Sequence, residues 1–231
     1  MIPAVFVCNC TPSQSPSDQA TKRALKKLGD RLPRPQAIAL ISNQWRTTTV
    51  QVRLVTANGV ETPAGKAAAA MVAGAIGATV AVPLRVEHLG DGSHWPVAFM
   101  FHKDMPPIVE VSLLSLRGAL HHYSLGLHLD KLRTRDVLVL GCGGVTCGDT
   151  AQPKDMAGFM AWMNKVLQSG RIDDLLDYRE RFECTVTPEP QEQSLMPLFT
   201  ALGAAGPGAS VRSEICNAED APTRTSVFVF E

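Results

Sequence analysis

Apolar residues fall along this chain in short unbroken runs, and between the runs lie stretches with a helical repeat. Residues 4–8, 37–42, 50–55, 79–82, 108–113, 136–141 and 226–230 are β-prone and largely apolar. Strands without strict in/out alternation belong to a sheet covered on both faces. Ser17-Asp18 can cap a helix running to residue 32, with Ala20, Ala24, Leu25 and Leu28 on one face and Lys and Arg opposite. Pro33 and Pro35 end that helix, and Asn58-Gly59 marks a turn. Further helices are expected over 64–76, 96–101, 120–132, 156–168, 172–181 and 195–202. Strands alternating with helices predict an α/β fold, a single domain over 1–231 with a central mostly parallel sheet flanked by helices.

Composition narrows the classes. At 231 residues, with 45% apolar and 19% charged positions, the chain can bury a substantial core and is not of disordered type. Lys plus Arg and Asp plus Glu both total 22. With no basic run, nucleic acid is not an expected partner. A neutral chain lacks long-range self-repulsion, which permits oligomers. The start, Met1-Ile2-Pro3-Ala4-Val5, has no basic region ahead of its short apolar run, and the alanine-rich stretch 67–82 is interrupted by Gly74 and Gly77. These features predict a cytoplasmic protein without a membrane partner. There the six cysteines stay mostly reduced, and their spacings, Cys8-x-Cys10 and Cys142-x4-Cys147, match no zinc-finger or thioredoxin pattern.

Several segments, in order along most of the chain, together resemble one family. They are 3–12, ending Cys8-Asn9-Cys10-Thr11-Pro12; 32–45, ending Ser42-Asn43-Gln44-Trp45; Gly90-Asp91-Gly92-Ser93-His94-Trp95-Pro96; 122–133 with 137–147; and 188–206. The set resembles the class III, LigB/DODA-type, extradiol ring-cleaving dioxygenases, whose mononuclear Fe(II) opens catechol-like rings. The resemblance implies an LigB/DODA-like fold with its site at strand ends. It also implies histidines where this chain has Asn9, Gln44, Asp91, Cys147, Glu189 and Ser194.

These departures shape the functional expectation. An Fe(II) site for dioxygen needs about three strong N/O ligands with open positions. Amides such as Asn9 and Gln44 offer neutral carbonyl oxygens, weak ligands beside imidazole. The expectation is therefore no Fe(II) cofactor and a non-catalytic structural or regulatory subunit, in a homo-oligomer or paired with an intact homologue. An alternative is a repurposed enzyme acting on a small aromatic or ring-opened compound, with Cys147, Asp91, His94, Cys8 and Cys10 as candidates. Thiolates there would suit zinc or another soft metal, although filling of vacated space is the simpler role for these cysteines. A third possibility is an unusual iron set of Asp91, His94 and Glu189. His94 also reads as a turn residue beside Trp95, and His121, His122 and His128 read as structural residues of one helix. Gly141-Cys142-Gly143-Gly144 faintly suggests a phosphate turn without completing the motif.

Overall fold

A computed structural model describes residues 1–9, 19–57, 59–89, 94–145, 153–182, 191–215 and 225–231. Within them, the buried apolar runs form one sheet. Its strands are β1 (Ala4–Asn9), β2 (Ala37–Thr47), β3 (Gln51–Ala57), β4 (Thr79–Val80), β5 (Leu84–Val86), β6 (Ile108–Leu114), β7 (Val137–Gly143), β8 (Val211–Ile215) and β9 (Thr225–Phe230). The order is β4-β3-β6-β2-β7-β1-β9-β8, with β5 also pairing β3. The centre, β6-β2-β7-β1, is parallel, while β3 joins β6, and β9 joins β1 and β8, in antiparallel pairs. The carboxyl ends of β1, β2, β6 and β7 thus share one edge, where such folds place their functional groups.

Helices cover both faces: α1 (Gln19–Arg31), α2 (Pro63–Ile76), α3 (Trp95–Met100), α4 (Ala119–Arg133), α5 (Pro153–Gln168), α6 (Ile172–Leu176), α7 (Tyr178–Arg181) and α8 (Met196–Ala205). Strand alternation sorts the core into two layers. Phe6, Ala39, Ile41, Val111 and Val139 pack with α2, α4, α5 and α8. Val5, Val7, Leu40, Leu138 and Leu140 pack under α1 and α3. Local sequence sets the ends of α2, where Thr62 accepts a hydrogen bond from Gly65 N, Pro63 opens the helix, and Gly77 closes it at φ 62°. The expected 172–181 helix is two short pieces, broken at Asp177. Strand β4 stops at Val80, although Ala81 N still bonds Val52 O before Pro83 interrupts the edge.

Candidate functional site

The parallel register sets the geometry of the carboxyl edge. Val7, Cys142 and Ser42 lie side by side across β1, β7 and β2, and Cys8 lies beside Gly143 one residue further on. Beyond Ile41 the pairing of β2 with β6 slips, resuming only at Arg46 opposite Leu113. This bulge re-aims the side chains that follow. Asn43 continues the alternation toward the α8 layer, where its Nδ2 donates to Ser194 Oγ at 2.8 Å. Gln44 is exposed, and its backbone N–H reaches Ser42 Oγ at 3.4 Å.

Ser194 ends a single 3-10 turn, Gln191–Ser194, that leads into α8. Its side chain is buried, and its carbonyl accepts from Gly144 N at 2.9 Å. A Cβ on Gly143 would collide with that carbonyl, and one on Gly141 would collide with the Pro197 carbonyl. Gly141 and Gly143 thus serve close packing of Ser194 and Pro197 on β7, which accounts for them without a phosphate turn. Two of the sequence-predicted positions are thereby resolved. Ser194 meets Asn43, the neighbour of Gln44, and Gln44 itself turns to solvent.

The two described cysteines, Cys8 and Cys142, do not pair. Cys8 is buried in the α8 layer and Cys142 in the α1/α3 layer, so the sheet separates their side chains. Burial, and then the negative charge of Glu110, holds the Cys142 thiol far above its ordinary range. That thiol stays protonated and unreactive at neutral pH. His94 is buried at the start of α3, just before Trp95, which packs in the α1/α3 layer. Asn9 ends β1 opposite Thr225. Cys10, Asp91, Cys147, Cys184 and Glu189 lie outside the described residues.

The structure adds a charge cluster that sequence reasoning missed. Glu110, in the middle of β6, is only 1% exposed. It accepts from Arg53 Nε at 2.7 Å and from Ser42 Oγ at 3.2 Å, and Arg53 Nη2 lies 2.6 Å away. The Arg53 guanidinium sits 4.1 Å from the centre of the Trp45 ring. On the same strand, Ser112 Oγ accepts from Gln51 N at 3.0 Å and bonds Thr47 Oγ1 at 2.6 Å. A signal was present: a carboxylate inside Ile-Val-Glu-Val-Ser-Leu requires a cation, and β3 supplies one at Arg53.

Comparisons with known proteins bear on this edge. No protein-family profile matches the chain. A 4,5-DOPA dioxygenase extradiol of Beta vulgaris is 23% identical over 87% of this chain and 86% of its own length. The protein of the same name from Escherichia coli (strain K12) is 26% identical over 88% and 85%. The Mirabilis jalapa protein of that name is 32% identical, but the match covers 50% of this chain and 46% of that protein. A crystal structure of an uncharacterized protein of Escherichia coli K12 superposes with a TM-score of 0.77 at 22% identity, covering 99% of both chains, and so shares the fold. Over most of its length the chain is similar to extradiol dioxygenases of the LigB/DODA type.

The described donors of this chain do not fit the Fe(II) of the LigB/DODA-type enzymes it resembles. At Asn43 the amide Nδ2 donates to Ser194 Oγ and leaves Oδ1 buried, a neutral amide oxygen and so a weak ligand for Fe(II), while Gln44 faces solvent. Glu110, the buried carboxylate nearest Ser42, is taken by Arg53. Among the described residues no group of three His, Cys, Asp or Glu side chains is placed to hold a metal ion. No helix among them is long and apolar enough to cross a membrane.

Proposed function

We propose that this chain is a non-catalytic member of its family, a structural or regulatory subunit that assembles with an intact dioxygenase homologue. The observation that supports this reading is the 2.8 Å hydrogen bond from Asn43 to Ser194. An Fe(II) ligand must keep a lone pair free and aimed at the metal, and imidazole or carboxylate is the usual choice. Here Asn43 Nδ2 and Ser194 Oγ are turned on one another, and the Asn43 Oδ1 left over is a neutral amide oxygen, a weak substitute for imidazole or carboxylate. Glycine packing on β7 fixes the turn that presents Ser194, so the bond belongs to the scaffold's rigid part.

The test has two arms. Purified alone, the chain should contain no stoichiometric iron by elemental analysis and should not open L-DOPA or catechol under anaerobic Fe(II) loading followed by air. Co-expressed with an intact homologue from the same genome, it should co-purify in fixed stoichiometry, with ring cleavage abolished by mutating the homologue's ligands. Stoichiometric Fe(II) and ring opening by the isolated chain sink the proposal. Thiol chemistry in the old pocket draws no support from Cys8 and Cys142, which are buried on opposite faces.

A further inference from the structure

Charge on this neutral chain is unevenly placed. Helix α1 carries Lys22, Arg23, Lys26, Lys27 and Arg31 against a single acid, Asp30. Thr21, Leu25 and Leu28 form its buried face, so the cations ride on the outer side. Two of them are engaged: Lys22 Nζ lies 5.5 Å from the centre of the Phe99 ring, and Arg31 donates to Glu214 at 2.8 and 2.9 Å. Arg23, Lys26 and Lys27 have no ion pair among the described residues.

Beside α1 the sheet ends. Among the described residues β8 pairs only with β9, so its other side presents unpaired backbone N–H and C=O groups. Arg212 and Glu214 share the face of β8 that looks toward α1, since Glu214 accepts from Arg31 and also from Arg212 at 2.7 Å. Between α1 and Glu214 runs a groove of about 490 Å³, lined on the helix side by the small Ala20 and Ala24, the cations Arg23, Lys27 and Arg31, and one acid, Asp30. Small lining residues let another backbone come close. A strand laid along β8 would turn alternate side chains toward α1.

We propose that the groove between α1 and the β8 edge docks an extended acidic segment of a partner protein, which adds a strand beside β8. Main-chain bonds would supply affinity, and alternate carboxylates meeting the unpaired Arg23 and Lys27 would supply specificity. A second copy of this chain suits the edge less well. Antiparallel pairing of β8 with its own twin puts both basic α1 helices on the same face of the joined sheet, where they repel. The inference goes beyond the subunit role and does not depend on loss of iron chemistry.

The probe is a short fluorescent peptide of alternating glutamate and threonine, titrated into the full chain and followed by anisotropy. Saturable binding should weaken about tenfold in Arg23→Glu/Lys27→Glu, the effect of removing two charge pairs. It should persist in Lys131→Glu/Arg135→Glu, which makes the same charge change at the end of α4. A peptide with proline in place of threonine cannot complete the ladder and should bind more weakly. Circular dichroism and melting confirm that each variant is folded. The proposal is overturned by equal binding to both charge variants, by no saturable binding, or by tighter binding of single-stranded oligo(dT). It is also overturned if sedimentation finds a wild-type dimer that the peptide does not displace and that Arg212→Glu dissolves.

Discussion

Glu110 lies buried in the interior of the sheet, an arrangement that survives only because its lone pairs are taken. Arg53 supplies the cation, Ser42 a neutral donor, and the Trp45 ring covers the guanidinium. Arg53 keeps 20% of its side chain exposed, whereas Glu110 keeps 1%. Removing the acid leaves a half-buried cation that water reaches in part, while removing the cation leaves a buried anion that water does not reach. Arg53→Ala should therefore destabilise more than Glu110→Ala, the former by about 3–5 kcal/mol. The joint replacement Glu110→Leu/Arg53→Met should recover most of that loss, because the pair itself is worth little against apolar packing. Urea unfolding of the wild type, Glu110→Leu, Arg53→Met and the two together gives the double-mutant cycle. Additive losses would show that the two side chains do not act as a pair.

At the scale of elements, the turn from β6 into α4 depends on a neutral histidine. His122 is fully buried, its Nε2 accepts from Leu114 N at 3.2 Å, and its Nδ1 lies 2.9 Å from Gly118 O. The ring therefore carries its proton on Nδ1 and clamps both ends of a turn in which Leu116 sits at φ 61°. Burial, opposed by the Gly118 bond and aided by nearby His121, lowers its pKa from 6.5 to about 4. The unfolded chain takes up a proton near pH 6.5 that the folded chain refuses until about pH 4. Stability from this group is thus complete above pH 6.5 and is lost as pH falls toward 4, by about 3 kcal/mol in all. Denaturant midpoints measured across that window should fall steeply in the wild type. The slope should be shallower in His122→Gln, which cannot titrate; His121, lowered by its own partial burial and by Arg117, adds a smaller trend of the same sign in both proteins. An unchanged slope in His122→Gln would assign the acid sensitivity elsewhere.

That turn also shows what the chain makes legible. The strand expected over 108–113 and the helix over 120–132 appear as Ile108–Leu114 and Ala119–Arg133, because apolar runs and helical spacing are local signals. Strands β5 and β8 escaped notice, since Leu-Arg-Val is very short and Val-Arg-Ser-Glu-Ile mixes charge into an edge. The site was harder to read for another reason. Asn43 and Gln44 differ by one position, and which of them turns inward follows from the face that Ala39 and Ile41 present, which is fixed by the pairing of β2 with strands distant in sequence. The partnership of Arg53 with Glu110 spans 57 residues and becomes visible only once β3 lies antiparallel to β6. Glycines 141 and 143 likewise reveal their role only when the 191–198 segment is laid across β7.

Across the whole molecule, one buried side chain ties together parts that fold at opposite ends of the sequence. Arg133, at the end of α4, is 1% exposed. Its Nε donates to Ile2 O at 2.8 Å, and its Nη1 donates to Ala204 O and Ala205 O at 2.9 and 2.8 Å. The backbone returns the contact, Ile2 N bonding Arg133 O at 3.2 Å. The same cation thus starts β1, ends α4 and caps the last carbonyls of α8, whose negative dipole end favours it. Helices α4 and α8 cross closely enough that a Cβ at Gly126 would strike Thr200 O and one at Gly203 would strike Tyr123 O, so the clasp cannot be replaced by sliding the helices. Among the described residues the acid paired with Arg133 is Asp130 at 3.5 Å, itself 44% exposed, and burial lowers the guanidinium pKa. Replacing Arg133 by Met should keep the packing of the stem but strand three buried carbonyls, a loss of about 3–4 kcal/mol. For a chain of this size that is a fall in melting temperature of about 10 °C. Arg133→Lys, whose single ammonium cannot span Ile2 and the α8 carbonyls together, should fall between the two. Calorimetry decides the matter: a lysine variant as stable as the wild type would mean that the charge alone matters and the fork geometry does not.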